Sequence, residues 1–311
     1  MSALLAALEP VARSARDRAG EIEAARALPQ DLAEALAAAG AMRMLVPVCH
    51  GGLEVHPGEM IDALRALGRA DGATGWCAMI GATTGLMAAS LPEATAERIY
   101  GADPTVITCG VTAPAGRATP VEGGYRISGR WTFGSGSRNA AWLSGGCLEL
   151  DGAGEPVVDE RGAPRVLLAF FPADAVELHD TWHVSGLRGT GSGDFEVRDL
   201  LVPADRVVAF GGRPRVDRPL YRFPTFGLLA LGVASVAVGV AERALEELVA
   251  LATEKVPTGA RRTLADRGAV QEDVARAEAA LRSARAFMRE AVDAAWAAAE
   301  AGEPLTLAHK A

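Results

Sequence analysis

Along the first hundred residues, apolar positions recur at helical spacing. Leu4, Leu5, Leu8 and Val11 form one stripe, and Leu32, Leu36 and Met42 lie on or near a second. That period predicts amphipathic helices, the second opened by Pro29, whose missing N–H costs nothing in a first turn. The segment RMLVPVCHGGLEVHPGEM, 43–60, breaks the pattern with two prolines and a Gly-Gly pair. Helical spacing resumes at Glu59 to about Gly68, and further helices are predicted over 74–90 and 92–100. Between 104 and 210 the period shortens. TVITCGVT, GYRISGRWTF, WLSGGCLEL, PRVLLAFFP and DFEVRDLLVP read as short strands separated by Gly, Pro and Asp clusters. From 225 the helical pattern returns, with one helix to about 254, a break at VPTG, and a second over 268–300. Val270, Val274, Ala277, Leu281, Ala284 and Met288 have the spacing of a buried face on that last helix.

The order is helices, then strands, then helices, with no βαβ alternation. It predicts an α+β chain: an N-terminal helical domain over 1–103, a central antiparallel, barrel-like β domain over 104–210, and a C-terminal helical bundle over 225–311. A dinucleotide-binding fold is disfavoured. The phosphate-loop lookalike GTGSG, 189–193, precedes a strand instead of linking a strand to a helix, so it reads as a turn.

Composition narrows the function. Half of the 311 residues are apolar, enough for a sizeable core, and the formal net charge is −8. Arginines are scattered, and Arg261-Arg262 is the one tight pair, which argues against a nucleic-acid partner. The cysteines at 49, 77, 109 and 147 form no CxxC pair, so no metal site or disulfide framework is expected. Reduced, mostly buried thiols suit a cytoplasmic protein. The N-terminus lacks the pattern of a signal peptide. The apolar run FGLLALGVASVAVGVA, 226–241, falls short of a membrane span and reads as a buried helix of a soluble protein.

The stretch GGYRISGRWTFGSGS, 123–137, carries glycines at 129, 134 and 136 and hydroxyls at 128, 132, 135 and 137. A strand built only for packing rarely gives up so many side chains, so something must approach this backbone closely. These residues carry a resemblance. ARALPQDLAEALAAAGAMRMLVPVCHGG, VTAPAG (111–116), RISGRWTFGSGS and GLRGTGSGDFEVRDLLVPADRV (186–207) resemble, in order, the motifs of the acyl-CoA dehydrogenase superfamily. PAGRATPVEGGYRISGRWTFGSG and DGATGWCAMIGA (71–82) are most similar to its two-component monooxygenase branch, which uses reduced flavin from a separate reductase.

That resemblance implies a flavin, FMN or FAD, bound reduced, with the small residues at 134 and 136 letting the backbone approach it. By position, Ser135 matches the catalytic hydroxyl at the flavin N5 edge and Phe133 the aromatic beside the ring. Thr112 and Val111 match the loop at the pyrimidine side, and Arg262 a phosphate contact often made by a neighbouring subunit. Trp76, Thr84 and Asn139 fall in the substrate pocket. A small organic substrate, a flavin reductase as electron source and a homo-oligomer, a tetramer, are implied with them. Each residue also has a plainer reading: Ser135 as a strand hydroxyl, Thr112 as a turn residue before Pro114, Phe133 and Trp76 as core, Arg262 as a solvated loop charge.

Two departures qualify the activity. Where hydroxylases of this branch often carry histidines, this chain has Thr83-Thr84 and Asn139. Histidine exchanges protons near neutral pH and Thr or Asn does not, so activation of a phenol would need another base. The pattern also stops after two C-terminal helices, which makes an incomplete bundle the expectation. Two alternatives stay open: an FAD-dependent acyl-CoA dehydrogenase, and a non-catalytic binding or assembly subunit.

Overall fold

A computed structural model describes residues 2–306. The first helix, α1 (Ala3–Asp17), is capped by Ser2, whose hydroxyl accepts from the Leu5 N–H, and it buries Leu4, Leu8, Val11 and Ala15. Leu5, at the edge of that stripe, is half-buried. After α2 (Ala19–Ala25), α3 (Gln30–Ala38) starts behind Pro29 as its sequence predicts. The Pro- and Gly-broken segment leads into α4 (Pro57–Ala70) and α5 (Gly72–Gly85). Asp71 caps α5 by accepting from the Thr74 N–H and hydroxyl, both at 2.7 Å. A Cβ on Gly75 would lie 2.7 Å from Gly68 N, and one on Gly239 would lie 2.2 Å from Arg65 O. These glycines let three helices pack backbone to backbone. A short α6 (Glu93–Ala96) continues as a π-turn, Glu97–Gly101, before the sheet begins.

The sheet has seven strands: β1 (Thr108–Val121), β2 (Gly124–Trp131), β3 (Trp142–Glu149), β4 (Val166–Pro172), β5 (Glu177–His179), β6 (Asp194–Pro203) and β7 (Val207–Ala209), in the order β5-β6-β2-β1-β3-β4-β7. Pairing is antiparallel, as expected, except that β1 and β3 run parallel. The hairpin through Gly123, at φ +83°, puts β2 on one side of β1, and residues 132–141 carry the chain across to the other. The register of β1 slips between Val111 and Gly116, so the segment expected as a loop is a bulge within a long strand.

Trp131 is fully buried, stacked on Phe195 at 5.0 Å, and its ring N–H donates to Gly146 O at 2.7 Å. This packing corrects the expected reason for the strand's glycines. A Cβ on Gly129 would lie 2.6 Å from Gly116 Cα, and one on Gly134 would lie 2.8 Å from the Phe195 ring. Gly136 makes a left-handed turn at φ +75°. The close approach is that of the protein to itself.

Past α7 (Pro219–Arg222), two long helices follow, α8 (Thr225–Glu254) and α9 (Gly268–Ala301). Leu228, Gly232, Ser235, Val236 and Gly239 form the buried seam of α8. By length and composition alone α8 would pass as a membrane span, although its uncharged apolar stretch ends at Ala241, before Glu242 and Arg243, where the sequence reading ended it. The predicted buried face of α9 is also corrected: Met288 is buried, Ala277 is exposed, and the other four positions are half-covered. Its covered face lies further on, at Val292, Ala295, Ala298 and Ala299. One apolar core runs from α1 through α5 into the sheet and on to α8 and α9.

Candidate functional site

A cavity of about 490 Å³ lies where α5, the β1 bulge, the exit of β2, the 182–192 loop and the start of α8 meet. Trp76, Met79, Ile80, Thr83 and Thr84 enter from α5, and Gly110 to Ala113 from β1. Phe133 and Ser135 follow β2, Leu187, Thr190 and Ser192 come from the loop, and Leu229 and Val233 close the far side from α8. None of the described residues lining it is an acid, a histidine, a lysine or an arginine.

Ser135 sits in the wall, 4 % exposed. The Trp76 indole N–H donates to its Oγ at 3.0 Å. Its hydroxyl lies 2.7 Å from Ser192 Oγ, which lies 2.6 Å from Thr190 Oγ1, and Thr190 donates to Leu187 O at 2.9 Å. Backbone bonds stitch the two segments together, Gly134 N to Gly193 O and Gly136 N to Thr190 O, both at 2.9 Å.

Phe133 is not core. It is 66 % exposed, and its backbone is left-handed, at φ +62°. A phenylalanine there costs about 1–2 kcal/mol, so the surroundings impose the geometry. The ring meets Trp182 edge to face at 6.0 Å. Arg26 holds the Trp182 segment through Trp182 O at 3.0 Å and Asp180 at 2.6 Å. That guanidinium keeps the Asp180 carboxyl below the usual carboxylate range. Beneath the site, burial pushes the Cys109 thiol up to about 12 and raises Cys77 as well, so both stay protonated and unreactive. All four cysteines are free, and Cys49 is exposed. Away from the cavity, Glu177, His179 and Glu196 converge, with Arg198 bonded to Glu196 and paired with Glu177 at 3.2 Å.

The structure thus gathers Trp76, Thr84, Val111, Thr112, Phe133 and Ser135 around one cavity. It does not bring Asn139 there. The turn at Gly136 swings that side chain outward, where its amide donates to Leu28 O and Gln30 Oε1. Arg262 is exposed in the loop between α8 and α9 and does not line the cavity. Sequence reasoning missed Thr190, Ser192, Trp182 and Leu187. The signal was the GTGSG run, set aside as a turn.

Comparison with known proteins adds an independent line. Residues 5–98 match the family described as "Acyl-CoA dehydrogenase, N-terminal domain", and residues 231–311 match "Acyl-CoA dehydrogenase, C-terminal domain". The chain is 37% identical over 301 residues to the indole-3-acetate monooxygenase of Pseudomonas putida, covering 96% of this chain and 75% of that protein. It is 33% identical over 255 residues to the oxygenase component of an FADH(2)-dependent resorcinol hydroxylase from a Rhizobium species, covering 79% of this chain and 60% of that one. Among solved structures, the HsaA monooxygenase from M. tuberculosis superposes with a TM-score of 0.87 at 28% identity, over 98% of this chain and 78% of that one. XiaF from a Streptomyces species, in complex with FADH2 and glycerol, gives 0.87 at 26% identity, over 97% and 77%.

Proposed function

This chain belongs to the acyl-CoA dehydrogenase family, and from that premise we propose that it oxygenates small, neutral, electron-rich aromatic rings in the cavity beside Ser135. It is a flavin-dependent monooxygenase. Its electrons come from a separate reductase that delivers the flavin reduced. The observation that carries the substrate class is the chemistry of the cavity wall: apolar and aromatic side chains with a few hydroxyls, and no titratable group among the described residues.

The residues present suit a flavin. Ladder pairing of β1 on both sides resumes only at Gly116, which leaves the backbone of 112–115 available to the polar edge of a flat ring. Phe133 and Trp182 offer aromatic surface at the rim, and Ser135 offers a single buried hydroxyl. Arg262 is assigned to a flavin phosphate across a subunit boundary. When bound, reduced flavin supplies the activation of dioxygen. The protein's part is to hold the ring, orient the substrate and keep water out. Trp76 and Ile80 form the substrate side, and the α8 residues Leu229 and Val233 shield it.

With Thr83, Thr84 and no carboxylate among the described residues of the wall, none of these deprotonates a phenol or removes an α-proton from an acyl thioester. A ring such as indole, reactive without prior ionisation, fits better. Among the described residues no cation lines the cavity to hold a substrate carboxylate, hence a neutral molecule. The exposed Phe226 and Phe287 on α8 and α9 support assembly into a homotetramer, which we place in the cytoplasm.

Anaerobic titration with oxidised and reduced FMN and FAD tests the reading. Reduced flavin should bind, and admission of air with indole present should yield an oxygenated ring. Failure to bind either flavin in either state would end it.

A further inference from the structure

Two hydroxyls in the cavity wall have no protein partner. Thr84 on α5 and Ser144 on β3 are 7 % and 3 % exposed, and both line the cavity. Neither side chain forms a hydrogen bond with any described residue. Thr83 shows the contrast, since its hydroxyl donates to Met79 O at 2.8 Å. Gly110 on β1 stands in register with Ser144. A Cβ on Gly110 would strike Ser144 Oγ and lie 3.2 Å from Thr84 Oγ1. The missing side chain thus leaves a gap with both hydroxyls at its edge. Met87, Leu168 and Phe210, which pack together, line the same cavity and add only apolar surface. Ser135 is well removed, because α5 rises about 12 Å between Trp76, which donates to that serine, and Thr84.

We propose that Ser144 and Thr84 are specificity-determining residues that anchor a hydrogen-bond donor, N–H or O–H, on the edge of the aromatic substrate. The inference deepens the oxygenation reading above and rests on it. A buried hydroxyl left unpaired costs free energy, so a folded core normally provides a partner. Here no described residue does, and the partner is left to whatever occupies the cavity. Each oxygen has lone pairs to accept a hydrogen and one hydrogen to give. A ring N–H uses the first, and an aryl hydroxyl uses both. A ring with no such group would strip the two hydroxyls of water and offer them nothing in exchange.

The test is the ratio of dissociation constants for indene over indole, measured anaerobically by calorimetry on the protein loaded with reduced FMN. Indene has the shape of indole with a methylene in place of the N–H. It is the more apolar of the two, so a wall without hydroxyls should favour it. Ser144→Ala combined with Thr84→Val keeps the shape of the wall and removes both hydroxyls. The ratio should fall by about tenfold. Each single change should lower it part of the way, and serves if the double variant does not fold. Toluene over phenol reads an O–H in the same manner, and the larger shift identifies the donor that the site takes. The thermal midpoint of the flavin-free protein should not fall in these variants, because neither hydroxyl holds protein to protein. Unchanged ratios in both pairs overturn the proposal, and a lowered midpoint beside them would make the hydroxyls structural. Failure of all four rings to bind the unaltered protein overturns it too. Selective binding without oxygenation would instead remove the oxygenation reading and leave the anchor standing. If no flavin binds, the same ratios read on the flavin-free chain decide the matter in the same way.

Discussion

Phe133 shows most plainly how a residue can be placed against its own preference. Its left-handed backbone and exposed ring both cost free energy, and neither contributes to the core. Phe133→Gly should therefore raise stability by about 0.5–1 kcal/mol, the relief of strain less the added freedom of the unfolded chain. The same change should weaken reduced-flavin binding. Denaturant melts and flavin titrations of one variant check both signs, and a loss of stability would show that the ring is structural. The sequence already marked Phe133 and Ser135 through the resemblance of their strand. It did not mark Ser192, because the two serines lie 57 positions apart and meet only when the loop folds onto the strand exit. Asn139 misled for the opposite reason. It is close to Ser135 in sequence, but one left-handed glycine turns it to the other side.

At the scale of elements, helix bounds were legible because period and punctuation agree. VPTG and the two prolines of 43–60 stop helices for covalent reasons that no tertiary contact can reverse. Strand direction was not legible. β3 is buried on both faces, so its sequence carries no alternation, and nothing in it states that its neighbour β1 runs parallel to it. Packing between elements yields a firm expectation. Gly75→Ala places a Cβ against the backbone of α4, where no side chain can yield, and should destabilise by about 1–3 kcal/mol in a thermal or denaturant melt. The Trp182 segment depends on charge instead. The Asp180 carboxyl is held below its unfolded value, chiefly by its hydrogen bond with Arg26. Its contribution is complete above the unfolded pKa of about 3.9 and is lost as pH falls through the lower, folded value. Asp180→Asn should mimic that loss at neutral pH, speeding tryptic cleavage after Arg188. Equal cleavage rates would show that the loop is held by other contacts.

For the whole molecule, the fold class followed from the order of periodicities, while the reach of the core did not. Composition says that half the chain is apolar but not which faces remain uncovered. Five of the six positions in the predicted stripe of α9 fall on half-covered or exposed surface, since only the later turns of that helix meet their neighbours. The cavity likewise belongs to the assembled molecule, since its walls come from helices, strands and a loop that are distant in sequence. Among the described residues no titratable group lines it, and that is why the proposed substrate is one that needs no ionisation. The most direct measurement is a single turnover of the protein loaded with reduced flavin, mixed with indole and ¹⁸O₂, with the product analysed by mass spectrometry. One labelled oxygen in the ring, formed at a rate that does not vary between about pH 6 and 9, is the result the base-free cavity predicts. An oxidised flavin with hydrogen peroxide and no labelled product, or a rate that follows a single ionisation, would contradict it.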